Sequence, residues 1–423
     1  MTHLLDFKIT VGRKKNVYVG IKTLKHQNID YYFIDNLFSF GSRDQIYNYG
    51  DESERFAFFQ LAVLEALPRL GFIPDIVHVH DWHTAMIPVL LRTKYKDLGA
   101  KTVLTIHNLA YQGVFPLLDH GFFGIEYDPA FEFEGFLNFL KAGIVTADLV
   151  TTVSETYARE ILTDYYGYGL QRLLKARGTQ LVGILNGISY TDFDPKTDPL
   201  IKRNYTCQDY RAGKQENKLE LQDVTRFEFP ADKPLIGFIS RLVNQKGIDL
   251  IRRVFDEMLA VDDFYFMVLG DGEQEYHDYF LGLMGRFPER VYVKIGYDNP
   301  LAHKIYAASD IFLMPSKFEP CGLSQMIALK YGSIPIVRET GGLLDTVEPF
   351  NEYELTGNGF SFTHFNAHDM MHVIRYALTV HRLPEAWDGL VKNAMAADFS
   401  WTRSAKKYRK AYRSILPGRQ KEE

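Results

Sequence analysis

Hydrophobic positions along this chain fall into two alternating kinds of run. In the first half, compact β-rich runs NVYVGIKTL (16–24), DYYFID (30–35), DIVHVH (75–80), TVLTIHN (102–108), DLVTTV (148–153) and QLVGILNG (180–187) are separated by helical spacing such as ERFAFFQLAVLEAL (54–67). The alternation restarts with PLIGFIS (234–240), GIDLIRRVFDEML (247–259), FYFMVLGDG (264–272), RVYVKIG (290–296), DIFLMPS (310–316), CGLSQMIALKYG (321–332) and SIPIVRE (333–339). Nearly continuous apolar strands separated by amphipathic helices predict parallel sheets covered on both faces and wound right-handed. The expectation is an α/β chain of two doubly wound units. Between them, residues 191–232 are polar, rich in charge and weakly periodic, which suits a linker carrying a short helix. The pattern therefore divides the chain into a first unit over 1–190, a linker over 191–232 and a second unit that begins at 233.

Composition narrows the class. With 423 residues the chain is long enough for two sizeable cores, and 46% hydrophobic with 24% charged residues describes a folded globular protein. A net charge of -5 gives no global attraction to nucleic acid or to an anionic membrane. Cys207 and Cys321 are the only cysteines, no apolar run is long enough to span a bilayer, and the opening MTHLLDFKITVGRKK lacks the apolar core of a leader. Those features predict a reduced, cytoplasmic setting.

In doubly wound sheets, ligands sit beyond the carboxyl ends of the strands, so the residues that follow each strand carry the chemistry. Here they are polar: His107 and Asn108, Asn186 and Gly187, Arg241 and Lys246, Asp271, and Glu319. In SRLVNQKG, Arg241 offers a planar fork and Lys246 a mobile point charge beside a helix start, a combination that suits a pyrophosphate. A solvated loop is the plainer account of the same two residues. Glu319 stands before a helix, where a carboxylate favours the helix dipole by roughly 0.3–1 kcal/mol. Pro320 also biases it to an extended conformation and gives it a direction. Cys321, with no paired base in sequence, reads as packing.

Gly341 and Gly342 follow an apolar strand and permit close backbone approach with amides turned to an anion, although a plain turn explains them too, and the G-x-G-x-x-G spacing is absent. The HVHDWHT run brings His78, His80 and His83 around Asp81, with His78 and His80 on one strand face. No metal-ligand spacing accompanies them, so hydrogen-bonded histidines are the better reading and no metal is expected. The aromatic runs, including FEFEGFLNFL, are read as core before they are read as sugar-stacking surfaces.

The ordered set HDWH, TIHNLAYQG, TVSETYAREI, ILNGI, ENKLELQ, ISRLVNQKG, LGDG, IGYD, SKFEPCGLSQMIALKYGSIPIVRETGGLLDTV and DFSWTRSAKKY resembles the bacterial glycogen synthase (starch synthase) family over the whole chain. The resemblance implies the GT-B fold, two Rossmann-like domains facing a cleft, and transfer of glucose from ADP-glucose to the non-reducing end of an α-1,4-glucan with retention of configuration. By the same resemblance Arg241 and Lys246 hold the donor diphosphate, Glu319 lies against the donor glucose, and His107 stands near the reacting bond. Asn186 is a hinge-side cleft residue, Tyr297 packs on adenine, and the backbone of Gly341 and Gly342 meets the donor. Cys321, Gly322 and Leu323 of the FEPCGL motif belong to the donor site, while Asp81 lies nearer the acceptor. The resemblance also implies that the second unit runs over 233–398 and that a closing helix within 399–423 returns to the first domain. No cofactor is implied, because the two cations and helix ends take the part of a divalent ion.

The family's opening strand and K-x-G-G-L loop are missing from this sequence, so the first domain is expected to be N-terminally truncated, with weak donor binding and slow turnover. Ser189 and Phe193 also depart from the family's usual residues. The competing functions are an inactive glucan-binding protein and a GT-B transferase that uses UDP-glucose or a small acceptor.

Overall fold

The computed structural model describes residues 1–416, and residues 417–423 of the predicted closing segment lie outside them. The chain forms two compact units. Unit 1 comprises residues 1–152, 158–182 and the described residues from 408 onward; unit 2 comprises 153–157 and 183–407.

Unit 1 opens with three strands, Thr2–Val11 (β1), Lys14–His26 (β2) and Ile29–Asp35 (β3), paired in that order. Both pairings are antiparallel. This corrects the parallel arrangement expected of the first two β-rich runs. Gln27 and Asn28 form the turn between β2 and β3 with φ of 49° and 62°, as a tight hairpin with matched twist requires. A connection that short cannot carry a parallel crossover.

A second sheet of unit 1 is built from Ile76–His80 (β4), Lys101–Ile106 (β5), Leu149–Thr152 (β9) and Leu181–Gly183 (β10), in the order β10-β9-β5-β4, with β4, β5 and β9 paired in parallel. Three short strands, Val114–Phe115 (β6), Glu132–Phe133 (β7) and Phe136–Asn138 (β8), form a small separate sheet. Helix Glu52–Arg69 carries Glu52 and Glu54 in its first turn and Arg69 in its last, the charge order that its dipole favours. Its buried face includes Phe56, Ala57, Leu61 and Leu64, spaced at helical intervals.

Unit 2 is a six-stranded sheet of Leu235–Leu242 (β11), Tyr265–Gly272 (β12), Val291–Ile295 (β13), Ile311–Met314 (β14), Ile334–Arg338 (β15) and Phe360–Phe362 (β16), ordered β13-β12-β11-β14-β15-β16. All five pairings are parallel. Helices between the strands bury one stripe each; Ile248–Val261 turns in Ile248, Ile251, Val254, Phe255 and Met258. Each such side chain contributes roughly 1.5–3 kcal/mol of burial. From β11 the chain winds one way to β12 and β13, and from β14 the other way to β15 and β16. The carboxyl ends of β11 and β14 therefore flank the switch point, where a doubly wound sheet opens a crevice.

The polar residues 191–232 are folded into unit 2 around a helix, Tyr210–Thr225. Lys218 Nζ lies 2.7 Å from Asp310 Oδ2, and Tyr205 donates to the Tyr331 carbonyl at 2.8 Å. Lys214 donates to the carbonyls of Ala307 and Ser309, which end helix Asn299–Ala308. Periodicity was weak here because the buried positions are themselves polar and paired.

Candidate active site

The switch point of unit 2 gathers three of the predicted residues, Arg241, Lys246 and Glu319. β11 ends just past Arg241, which is exposed, and the following turn Asn244–Lys246 closes at Gly247 with φ 72°. A Cβ on Gly247 would come within 1.9 Å of the Pro315 carbonyl oxygen, so only glycine lets this turn lie against the segment after β14. That approach sets Lys246 Nζ 2.6 Å from Glu319 Oε2. Ser316 donates its hydroxyl to the same carboxylate oxygen at 3.1 Å. The two loops are also joined by Gln245: Lys317 N donates to its carbonyl at 2.8 Å, and its side-chain Nε2 donates to the Phe318 carbonyl at 3.1 Å. A cavity of about 140 Å³ opens here, lined among others by Ser240, Arg241, Lys246, Met314, Ser316 and Ser324.

Gly341 and Gly342 pack against the Glu319 segment. A Cβ on Gly341 would lie 2.0 Å from the Glu319 carbonyl oxygen, and one on Gly342 2.0 Å from that of Cys321. The Gly342 amide donates to the Glu319 carbonyl at 3.0 Å, so it is engaged in holding the loop; the expected amide turned towards an anion is corrected for that residue. Burial pushes the Cys321 thiol up to about 12, which leaves it protonated and suits a packing residue rather than a nucleophile. Gly322 has φ 72°, and Leu323 is exposed. Asn186 faces the same neighbourhood: its backbone amide interacts with the Cys321 sulfur, and its side chain lines a second cavity of about 180 Å³ with Asp345 and Arg403. Tyr297 stands after β13 with 90% of its surface exposed, its ring free of covering side chains.

In unit 1 the predicted polar residues meet at the ends of β4 and β5. Asp81 has φ 52°, a conformation costly for a residue with a Cβ. Its carboxylate accepts from the His107 backbone N–H at 2.8 Å, tying the two strand ends together. His107 Nε2 lies 3.0 Å from His80 Nδ1. The His78 and His80 rings lie 4.4 Å apart, tilted by 31°, as expected of neighbours on one strand face. His78 reaches Tyr412 through Nδ1 at 2.7 Å and Thr105 through Nε2 at 2.6 Å. Burial pushes His78 down to about 3, reinforced by His80 and His107, and burial alone takes His83 down to about 4. Burial also lowers His80 and His107 and raises Asp81. The imidazoles are therefore neutral at pH 7.

Sequence reasoning passed over three features. A groove of about 470 Å³ beside His83 is lined by Tyr47, Trp82, Tyr111, Gln112 and Phe115, aromatic faces with a planar amide, the lining a sugar ring stacks on. Tyr47 was hidden because it sits in a coil segment with no period. Ser316 and Arg338 support Glu319, and only the charge of Arg338 inside the apolar run SIPIVRE hinted at such a part.

Two family models match the chain: the starch synthase catalytic domain over residues 1–176 and glycosyl transferases group 1 over residues 222–392. The glycogen synthase of Desulforamulus reducens is 48% identical over 428 residues, covering 98% of this chain and 88% of that protein. That of Bacillus subtilis is 49% identical over 416 residues, covering 96% and 85%. Among solved structures, the catalytic domain of starch synthase IV from Arabidopsis thaliana, bound to ADP and acarbose, superposes with a TM-score of 0.90 at 34% identity, covering 97% of this chain and 88% of that one. A sucrose-phosphate synthase from Thermosynechococcus elongatus shares the fold, with a TM-score of 0.61 at 19% identity.

Proposed function

The chain belongs to the glycogen synthase family, a glucosyltransferase of GT-B fold, and on that premise we propose that it moves glucose from ADP-glucose to the non-reducing end of an α-1,4-glucan with retention of configuration. The observation that carries this reading is the meeting of Arg241, Lys246 and Glu319 at the switch point of the unit 2 sheet. Two cations at one crevice suit a diphosphate leaving group, whose developing charge they offset without a metal ion. Glu319, held by Ser316, lies against the donor sugar and stabilises positive charge at its anomeric carbon.

Tyr297 takes the adenine face, an assignment supported by its exposed ring. Cys321, Gly322, Leu323 and Gly341 border the donor, and Asn186 closes the same side. In unit 1, His107 and Asp81 serve the reacting bond and the acceptor, and the groove of Tyr47 and Trp82 receives glucose units of the glucan. In this scheme residues 1–190 bind acceptor, 191–232 connect, 233–398 bind donor, and the closing helix returns to the first domain. The reaction runs in the cytoplasm, with neither nucleic acid nor membrane as partner; among the described residues no helix is long and apolar enough to cross a membrane.

Incorporation of labelled glucose into glycogen, measured with ADP-glucose and with UDP-glucose and controlled by Glu319→Ala, tests the proposal. The expected result is transfer from ADP-glucose that the substitution abolishes. Preference for UDP-glucose would overturn the donor, and glycogen retention without transfer would make the chain a glucan-binding protein.

A further inference from the structure

Arg338 is the last residue of β15, and 7% of its surface is exposed. Its guanidinium reaches strand ends on both sides. Nε donates to the Ser316 carbonyl at 2.9 Å and Nη2 to the Lys317 carbonyl, both after β14, while Nη1 donates to the Thr363 carbonyl at 3.4 Å, after β16. The guanidinium carbon also lies 6.0 Å from the ring centre of Phe365. A charged group taken this far out of water is costly unless its donors are met. Here Nε and Nη2 are spent on the backbone of the segment that carries Glu319, and Nη1 on the backbone after β16.

Ser316 links the two. Its carbonyl accepts from Arg338 Nε, and its hydroxyl donates to Glu319 Oε2. Gln245 and Gly342 fix the other side of the loop at Phe318 and Glu319, so Arg338 supplies the restraint at the loop's base. We propose that Arg338 is a positioning residue for the transfer reaction, fixing the Ser316–Lys317 backbone so that Ser316 aims the Glu319 carboxylate at the donor sugar. This inference rests on the reading of Glu319 given above. A planar fork bonds two adjacent carbonyls at fixed angles, whereas a lysine at the same position is a single point charge on a flexible stem.

The test compares Arg338→Lys, Ser316→Ala and the double variant by steady-state kinetics with ADP-glucose and glycogen, beside Glu319→Gln. Displacing a reacting group by about 1 Å costs on the order of a hundredfold in rate. Arg338→Lys should therefore lower kcat by about 10- to 100-fold with the KM for ADP-glucose within about threefold, because the diphosphate cations are untouched. Ser316→Ala should produce a loss of similar size, and the double variant should be little worse than either, since both act on one carboxylate. Guanidinium ion at millimolar concentration should restore part of kcat to Arg338→Ala. Losses that multiply in the double variant, wild-type kcat in Arg338→Lys, or a lysine variant that does not fold would each overturn the proposal. An active Glu319→Gln would sink the reading of Glu319 itself; an inactive one beside a fully active Arg338→Lys would sink this inference alone.

Discussion

Lys246 Nζ contacts Glu319 Oε2 at 2.6 Å, so the cation assigned to the donor diphosphate and the acid assigned to the donor sugar neutralise each other. Both side chains are largely buried, and such a pair is screened far less than a surface one. On the proposed reading, a diphosphate arriving at the switch point would compete with Glu319 for Lys246, and the exchange would leave the carboxylate charge free to face the anomeric carbon.

Glu319→Gln should therefore separate binding from turnover. With the negative charge gone, Lys246 is free for phosphate and a like-charge repulsion disappears; ADP should bind about tenfold more tightly, equivalent to ~1.4 kcal/mol. Turnover should fall by at least about a hundredfold, the usual scale for loss of a charge aimed at a transition state. Calorimetric titration with ADP beside a rate assay decides the point, and unchanged ADP affinity would mean that the ion pair does not compete with donor.

Alanine at Gly341 or Gly342 should be damaging out of proportion to its size. At Gly341 the added Cβ meets the Glu319 carbonyl at 2.0 Å on a backbone with φ 46°; at Gly342 it meets the Cys321 carbonyl at the same distance. The obstructing atoms are main chain, so the Glu319 loop itself must move. Stability should drop by about 1–3 kcal/mol in urea unfolding and kcat by about a hundredfold. A variant as active as the parent would show that the loop position is not critical.

Those two glycines show what the sequence made legible and where it stopped. The apolar runs marked five of the six strands of unit 2, missing the three-residue β16, and reading the residues after each strand led to Arg241, Lys246 and Glu319, because strand-end polarity is a local signal. Pairing direction in β1–β3 was not legible, since two-residue turns rather than hydrophobicity decide it. Nor was the packing of 191–232, where Lys214, Asn217 and Lys218 are buried through contacts 93 to 14 positions distant in sequence. Ser316 and Arg338 are ordinary residues until three loops bring them to one carboxylate.

Lys218 and Asp310 supply a third prediction. Their pair, 2.7 Å apart and nearly buried, fastens helix Tyr210–Thr225 to the amino end of the unit 2 sheet, and Asp310 also accepts from the Leu235 backbone at 2.8 Å. The charge of Lys218, aided by His381 and Lys214, outweighs burial and holds the Asp310 carboxyl well below its usual range. Lys218→Met leaves that carboxylate buried without its ammonium and should cost about 3–5 kcal/mol. Lys218→Met with Asp310→Leu should lose less than Lys218→Met alone, because the buried carboxylate goes with its ammonium. Urea midpoints of the three proteins check the order.

Acidification should weaken unit 1. His78 is pushed down to about 3, first by burial and then by His80 and His107, and His83 down to about 4 by burial, against an ordinary value of 6.5. The unfolded chain therefore binds protons below pH 6.5 that the folded unit refuses. A lowered folded-state value contributes stability that is complete above 6.5 and is lost as pH falls towards the folded values. Each fully shifted histidine removes at most about 1.4 kcal/mol per pH unit in that window. Asp81, raised by burial, acts in the opposite sense, since its folded carboxyl holds a proton more readily than the unfolded one. Hydrogen exchange at pH 7.5, 6.0 and 5.0 should show amides of β4 and β5 losing protection through this range. His83→Phe, which keeps an aromatic ring against Trp82 and Phe56 without a titrating nitrogen, should flatten the dependence. An unaltered pH slope in that variant would remove His83 from the account and leave the loss to other groups.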